Sequence, residues 1–187
     1  MASGAEPDDP GKQDGAFAKN ARAGFFYGTL MVPQIFYSVC YDVIEPPQSI
    51  QDRHTFHPAV LHGHCRKRIH GADYPGMVVD PEKSVRGTVV TGLSEDNIKR
   101  LDYFEGIEYE RRQVKPNILT KVGNAQGEGN EEGDEVVADT YIFLNHVNLS
   151  VEGGEWDFEE FCRDKMQKWT RAGFVFEGMF LPIRWTC

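Results

Sequence analysis

Basic residues are missing from a long part of the 187-residue chain. Residues 122–162 contain no Lys or Arg but eleven Asp or Glu residues, whereas the remainder has 20 basic and 18 acidic residues. The net charge of −9 disfavours nucleic-acid binding, because phosphate contacts need clustered Lys and Arg. The run Arg66-Lys67-Arg68 is too short to supply such a cluster, and we predict that it forms a solvated loop.

A cysteine framework and an N-terminal apolar run are also missing. Residues 1–22 contain Pro, Gly and Ala without an apolar run, which predicts a disordered leader rather than a secretory signal or a membrane span. Scattered cysteines in a chain without such a signal favour reduced thiols, so we expect a cytoplasmic location and no membrane partner. The four cysteines are Cys40, Cys65, Cys162 and Cys187.

Histidine is frequent between residues 54 and 70, but the spacing typical of a zinc site is absent. The segment contains no Cys-x-x-Cys and no His-x-x-x-His unit. We therefore expect no metal ion, and a metal-dependent protein is the less favoured alternative. The candidate ligands of that alternative are His54, His57, His62, His64, Cys65 and His70.

One carboxylate, Glu105, has the sequence context of an acid/base catalyst. Ser94 is a candidate N-cap and Gly106 a candidate stop, which predicts a helix between them with Ile98, Leu101 and Phe104 along one face. Glu105 then ends the helix among aromatic residues, where the helix dipole and the exclusion of water both raise a carboxyl pKa. Such a group can accept and return a proton. The alternative is a solvated helix face that carries Glu105 with Asp102 and Glu108.

A second candidate element is the apolar run of residues 25–32, which Gly28 interrupts. This pattern predicts a strand that turns abruptly at Gly28. The amides after the turn, with the Thr29 hydroxyl, can form a concave nest for a carboxylate or phosphate. We expect that a side chain at position 28 would occupy the space of the ligand. An ordinary strand end with a tight glycine turn is the alternative.

Four short segments occur in the order and spacing of a known family. They are Tyr27-Gly28-Thr29-Leu30, Gly87-Thr88-Val89, residues 101–106 with Tyr109 and Arg111, and residues 139–143. Together they resemble the γ-glutamylcyclotransferase-like family, over residues 24 to about 170. Residues 154–161 resemble the start of the C-terminal helix in its plant and fungal branch, whose members are named for their induction by avirulence signals.

The resemblance implies an α+β fold, a small mixed β-barrel with flanking helices, in which residues 59–64 form the second strand and its loop. It also implies a pocket between the Tyr-Gly-Thr-Leu turn and the family's glutamate, which is Glu105 here. Backbone amides of the turn would hold the substrate's charged head. The implied substrate-binding residues are Tyr27, Gly28, Thr29, Leu30, Met31 and Val32, together with Tyr141 either as a hydrogen-bond donor or as an ordinary sheet-face tyrosine.

Family members of known activity cyclise a γ-glutamyl group to 5-oxoproline and release the attached amine. The substrate's own α-amine attacks its γ-carbonyl, so the reaction requires positioning and proton transfer but no cofactor. Glu105 would take the proton from the α-ammonium and deliver it to the departing nitrogen. The leaving group stays open among amino acids, polyamines, isopeptide lysine and specialised metabolites. A non-catalytic ligand-binding or interaction protein that keeps the pocket is the alternative function.

The sequence predicts one domain, residues 23–187, after the leader. Residues 123–134 form an acidic hairpin insertion between strand-like runs at 112–119 and 135–144. We expect the tail after residue 171 to lie along the surface or a partner. One amphipathic helix is predicted from the stripe Phe158, Phe161, Cys162, Met166 and Trp169.

Overall fold

A mixed β-sheet of eight strands forms the centre of the computed structural model, which describes residues 22–124, 127–144 and 151–170 apart from the side chains of residues 151–153. The strands are β1 (Arg22–Phe26), β2 (Phe56–Ile69), β3 (Pro75–Leu93), β4 (Tyr109–Val114), β5 (Asn117–Lys121), β6 (Glu131–Glu135), β7 (Ala138–Phe143) and β8 (Val151–Glu155). The helices are α1 (Pro33–Tyr41), α2 (Gln48–Gln51), α3 (Glu95–Glu105), α4 (Phe158–Asp164) and α5 (Met166–Trp169), with 3-10 turns at Thr29–Met31 and Gly106–Glu108. None of these described helices is long and apolar enough to cross a membrane.

The strand order is β4-β7-β1-β3-β2-β5-β6, and β8 pairs with β2. Strands β1 and β7 run parallel, with Gly24 opposite Asp139, whereas the other pairs are antiparallel. This mixed sheet with flanking helices confirms the predicted α+β fold class. Among the described strands, β4 and β6 end the path without pairing to each other, so the sheet is open rather than closed into a barrel.

Both faces of the sheet are apolar. Because side chains alternate along a strand, Phe25 and Val89 contribute to one buried cluster while Phe26 and Val90 contribute to another. The cluster around Phe26 includes residues of α1, α3, α4 and α5. The cluster around Phe25 consists of strand residues and their immediate neighbours, so the sheet itself curves around it.

Helix α3 begins and ends as its sequence predicts. The Ser94 hydroxyl accepts a hydrogen bond from the Asn97 amide at 3.2 Å, and the Asn97 side chain accepts one from the Ser94 amide at 3.0 Å. This reciprocal pair satisfies two of the amides that a helix start leaves without partners. Gly106, with φ 67°, ends the helix, so Glu105 is its last residue.

Three segments differ from the sequence prediction for local reasons. Pro116, which lacks an amide hydrogen, divides the expected strand 112–119 into β4 and β5. Lys165, with φ −122° and ψ −29°, separates α4 from α5 where we predicted one helix. Residues 131–134 of the predicted insertion, together with Glu135, form β6, which pairs with β5.

The run Arg66-Lys67-Arg68 belongs to β2, where Arg68 pairs with Pro75 of β3. The prediction of a solvated loop is therefore wrong, most clearly at Arg66, whose side chain is buried against Trp156. Almost all of the predicted leader, residues 1–21, and the tail, residues 171–187, lie outside the described residues. The single-domain organisation stays a prediction.

Replacing Ser94 with Ala tests the N-cap of α3. Loss of the hydroxyl leaves the Asn97 amide without its acceptor, so we expect the free energy of unfolding to fall by about 1 kcal/mol. Urea denaturation followed by circular dichroism measures this change. Ser84→Ala, at an exposed position of β3, is the matched control and should change the stability by less than about 0.5 kcal/mol. Equal stability of the two variants would contradict the capping role.

Candidate active site

A cleft lies where the C-terminal end of α3 meets the turn that follows β1. Most of its lining residues are aromatic, and Glu105 is the only acidic or basic residue among those described. The aromatic lining residues are Phe25, Phe26, Tyr27, Tyr74, Phe104, Tyr109, Tyr141 and Trp169. The others are Gly28, Thr29, Leu30, Pro75 and Glu105. The structure therefore brings the predicted turn and the predicted glutamate together.

Glu105 has an electrostatic environment unlike that of a surface carboxylate. Its side chain is partly buried, and within the described residues its carboxylate has no hydrogen-bond or ion-pair partner. Burial raises the pKa of Glu105 to about 8, because the charged form loses water without gaining a compensating cation. The solvated-face alternative does not describe this residue. A carboxyl that titrates near neutral pH can both take up and release a proton.

Two buried tyrosines beside Glu105 donate their hydroxyl protons away from it. The Tyr27 hydroxyl donates to the backbone oxygen of Tyr141 at 2.6 Å, and the Tyr109 hydroxyl donates to that of Pro75 at 2.9 Å. Burial, with a smaller contribution from the Glu105 charge, raises the pKa of both phenols, so they stay neutral at physiological pH. Each oxygen retains lone pairs that can accept a hydrogen bond.

Tyr141 is oriented by a charged network on the rim of the cleft. Its hydroxyl donates to Asp102 Oδ1 at 2.8 Å, and Arg111 bridges Asp102 at 2.9 Å and Asp139 at 3.2 Å. Burial and the Asp102 carboxylate raise the pKa of Tyr141. The structure therefore shows this hydroxyl donating to Asp102 and not into the pocket, while Tyr141 lines the cleft. The role of Tyr141 in substrate binding stays a prediction.

The turn after β1 leaves several amides without a partner inside it. Its first internal hydrogen bond runs from the Met31 amide to the Gly28 oxygen at 3.0 Å, so the amides of residues 28–30 have no acceptor within the turn. Gly28 has φ −124°, and a side chain there would first meet Pro75, whose ring atoms would lie 2.9 Å from its Cβ. We expected a side chain at position 28 to occupy the space of the ligand, but in the structure it would collide with Pro75. Met31 and Val32 are not among the lining residues.

The C-terminal helices supply a wall that sequence reasoning did not assign to the site. Trp169 lines the cleft, with its ring edge-to-face against Tyr74 at 6.4 Å and against Phe161 at 5.9 Å between ring centroids. Burial and Glu108 raise the pKa of Tyr74 to about 12. The sequence indicated only that Trp169 belongs to an apolar helix stripe. Its place beside Glu105 depends on how α5 packs across the sheet.

The histidine-rich segment, residues 54–70, contributes no residue to the described lining of the cleft. His54 is buried, accepts or donates a 2.6 Å hydrogen bond with the Tyr41 hydroxyl, and has its pKa lowered by burial. His62 contacts Glu132 of β6 at 3.0 Å. Across residues 22–124, 127–144 and 151–170, no group of three or more His, Cys, Asp or Glu side chains is arranged to hold a metal ion.

Comparison with known proteins assigns this architecture to a family. The family model described as gamma-glutamyl cyclotransferase, AIG2-like, matches residues 24–158. The chain belongs to this family. The γ-glutamylcyclotransferase-like resemblance of the four sequence segments, and the resemblance of residues 154–161 to its avirulence-induced branch, are thus confirmed. The match includes Glu105 and the turn after β1 but ends before α5, so the AIG2-like family model does not cover Trp169.

Relatives from the AIG2-like family support the assignment. AIG2-like protein C of Arabidopsis thaliana is 31% identical over 159 residues, which span 84% of this chain and 80% of that protein. Protein AIG2 C of the same plant is 35% identical over 103 residues, 55% of each chain. The solution structure of At5g39720.1 from Arabidopsis thaliana has 28% identity and a TM-score of 0.53, covering 81% of this chain and 87% of that one.

Glu105→Gln tests the raised pKa through the pH dependence of stability. The folded protein retains the Glu105 proton up to about pH 8, whereas the unfolded chain releases it near 4.5. The folded state thus binds more protons between these values, and this group lowers stability as pH rises through the window. We expect the stability of Glu105→Gln relative to wild type to increase from pH 5 to 8, by at most about 1.4 kcal/mol per pH unit.

Urea denaturation at several pH values measures this difference. Glu45→Gln, at an exposed position without a described partner, is the control and should keep the pH slope of the wild type. Carboxyl titration by carbon-13 NMR reports on Glu105 directly. A midpoint near 4.5 in the folded protein would contradict the burial of this group.

Proposed function

We propose that the chain is an enzyme that cyclises the γ-glutamyl group of a small amine or amino-acid conjugate to 5-oxoproline and releases the amine. The observation that carries this proposal is the Glu105 carboxyl, which has a pKa of about 8 and no hydrogen-bond or ion-pair partner among the described residues. It lines the same cleft as a turn whose amides at residues 28–30 have no acceptor within the turn, in a member of a cyclotransferase family. The substrate contains both reacting groups, so the protein has to hold them together and transfer protons from one nitrogen to the other.

The first step is orientation of the substrate's charged head. The α-carboxylate accepts hydrogen bonds from the amides of residues 28–30, and the Thr29 hydroxyl lies on the same side of the cleft. The α-ammonium donates toward Glu105 and the lone pairs of Tyr27, Tyr109 and Tyr141. Donors on the turn and acceptors on the facing wall match the two charges of an amino-acid head.

The second step is proton transfer coupled to ring closure. Glu105, ionised beside the incoming ammonium, takes one proton from the α-nitrogen, which then forms a bond to the γ-carbonyl carbon. Glu105 gives that proton to the leaving nitrogen as the bond between this nitrogen and the carbon breaks. The ring nitrogen then loses its second proton, through the re-ionised Glu105, to the departing amine, so the products are 5-oxoproline and an ammonium. A peptide α-amino group has a pKa of about 8, close to that of Glu105, so removal of the first proton is not strongly uphill.

Glu105→Gln tests the acid/base role. The amide keeps the size of the side chain but cannot exchange a proton, so 5-oxoproline release should fall by roughly 10²- to 10⁴-fold. The assay uses a panel of γ-glutamyl amines and γ-glutamyl dipeptides. Glu95→Gln, at the exposed start of the same helix, is the matched control and should retain activity. Full activity of Glu105→Gln would overturn the mechanism, and binding without turnover by wild type would favour the ligand-binding alternative.

Tyr141→Phe tests whether the phenol oxygen holds the ammonium. The ring and its packing remain, but one hydrogen bond to a charged group is lost, so kcat/KM should fall by about tenfold. Tyr103→Phe, an exposed tyrosine on α3, serves as the control and should leave kcat/KM within about twofold of wild type. Equal values for the two variants would exclude the contact with substrate.

A further inference from the structure

Arg66 is a buried cation with few partners. Its side chain is 10% exposed, and its Nη1 donates to the backbone oxygen of Tyr27 at 2.8 Å. Its Nη2 lies 3.8 Å from the carboxylate of Glu155, which is itself largely exposed. Its Nε is buried and has no hydrogen-bond partner in the part of the chain that the structure describes. Such burial is costly, because a charged group loses water that these contacts replace only in part.

Stability alone does not account for this arrangement. Replacing a buried charged pair with apolar residues of similar volume is often neutral or stabilising in proteins. The strongest contact that Arg66 makes is with the Tyr27 oxygen, at the start of the turn that lines the cleft. The charge therefore acts on the backbone at the edge of the candidate site.

The Arg66 contact affects the backbone amides of the turn, which are the hydrogen-bond donors of the cleft, through one peptide group. The Tyr27 oxygen and the Gly28 amide belong to the same peptide unit, so a cation bound to the oxygen polarises the unit and strengthens the amide as a donor. The same hydrogen bond fixes the orientation of the turn. Both effects favour an anion held by the amides of residues 28–30.

We propose that Arg66 is a positioning residue that fixes and polarises the turn at residues 27–30 for binding the carboxylate of the substrate. The proposal rests on the proposed function for the identity of that carboxylate. Arg66 contacts the turn at the Tyr27 oxygen and, at 3.9 Å, at the Met31 sulfur, and it is not among the described residues that line the cleft. It should therefore affect substrate binding more than the chemical step.

Trp156 holds the guanidinium in place. The guanidinium carbon lies 5.1 Å from the centre of the indole ring, within cation–π range. The ring is fixed from the other side, because Trp156 Nε1 donates to the backbone oxygen of Asp73 at 2.9 Å. Lysine has neither the planar face nor the forked donors that this site uses. The segment after β8 thus controls the position of Arg66.

Arg66→Met and Arg66→Lys test the proposal, with Arg68→Gln as the matched control. Arg68 lies two residues along β2 and contacts Glu155 and Glu160 of the same C-terminal segment. These contacts anchor it to the C-terminal segment, so its replacement reports on the packing of that segment. Each variant is examined for KM and kcat, for binding of 5-oxoproline by NMR titration, and for hydrogen exchange of the amides of residues 28–30 in the ligand-free protein.

We expect Arg66→Met to raise KM and the Kd of 5-oxoproline about tenfold or more, with kcat within about threefold of wild type. Arg66→Lys should show a smaller rise, and both variants should speed exchange at residues 28–30. Arg68→Gln should match wild type in all three measurements. Glu105→Gln should show the opposite effect on the two kinetic constants, with kcat reduced and KM little changed.

Unchanged binding in Arg66→Met, or an equal loss in Arg68→Gln, would overturn the proposal. If Arg66→Met does not fold, Arg66→Lys is the test of the proposal. A KM and an amide exchange rate equal to those of wild type in Arg66→Lys would then reject the positioning role. If wild type neither turns over γ-glutamyl compounds nor binds 5-oxoproline, the proposed function fails separately. Exchange at residues 28–30 then still tests whether Arg66 fixes the turn.

Discussion

The parallel pairing of β1 with β7 determines where the cleft forms. It sets Gly24 opposite Asp139 and is reinforced by the Thr140 hydroxyl, which donates to the Phe25 oxygen at 2.8 Å within the core. This register brings Tyr27, three residues after Gly24, against the backbone of Tyr141, two residues after Asp139. A shift by one residue would turn these side chains to the opposite face of the sheet. The acceptor wall and the turn therefore depend on one strand pairing.

The cleft combines stable packing with one unfavourable group. Its aromatic rings contribute to the two buried clusters, whereas the carboxyl of Glu105 has no hydrogen-bond or ion-pair partner among the described residues to offset its loss of water. Capping by Ser94 and Asn97 anchors the far end of α3, so the helix can place a costly residue at its last position. Arg66 is a second buried charge, and it lies behind the turn that faces Glu105.

The sequence predicted those parts that depend on local chemistry. A serine cap, a glycine stop and an apolar stripe define α3, and they place Glu105 correctly at its end. Tyr141 was assigned to the right place, but its hydrogen bond runs to Asp102, which a single strand cannot reveal. Arg66 resembled a solvated charge because the indole that covers it is ninety residues away in sequence. Trp169 joined the site through packing between helices, which has no local signal.

The division of the cleft into a donor side and an acceptor side has a stereochemical consequence. The turn offers amides, the tyrosines offer lone pairs, and the rings of Tyr74 and Trp169 offer apolar surface. Under the proposed function, three unlike surfaces around one tetrahedral carbon would accept the carboxylate, the ammonium and the side chain in a single handed order. The mirror-image head would set an ammonium against amide hydrogens or a carboxylate against Glu105. The proposed enzyme would therefore distinguish enantiomers at the α-carbon as well as hold the head group.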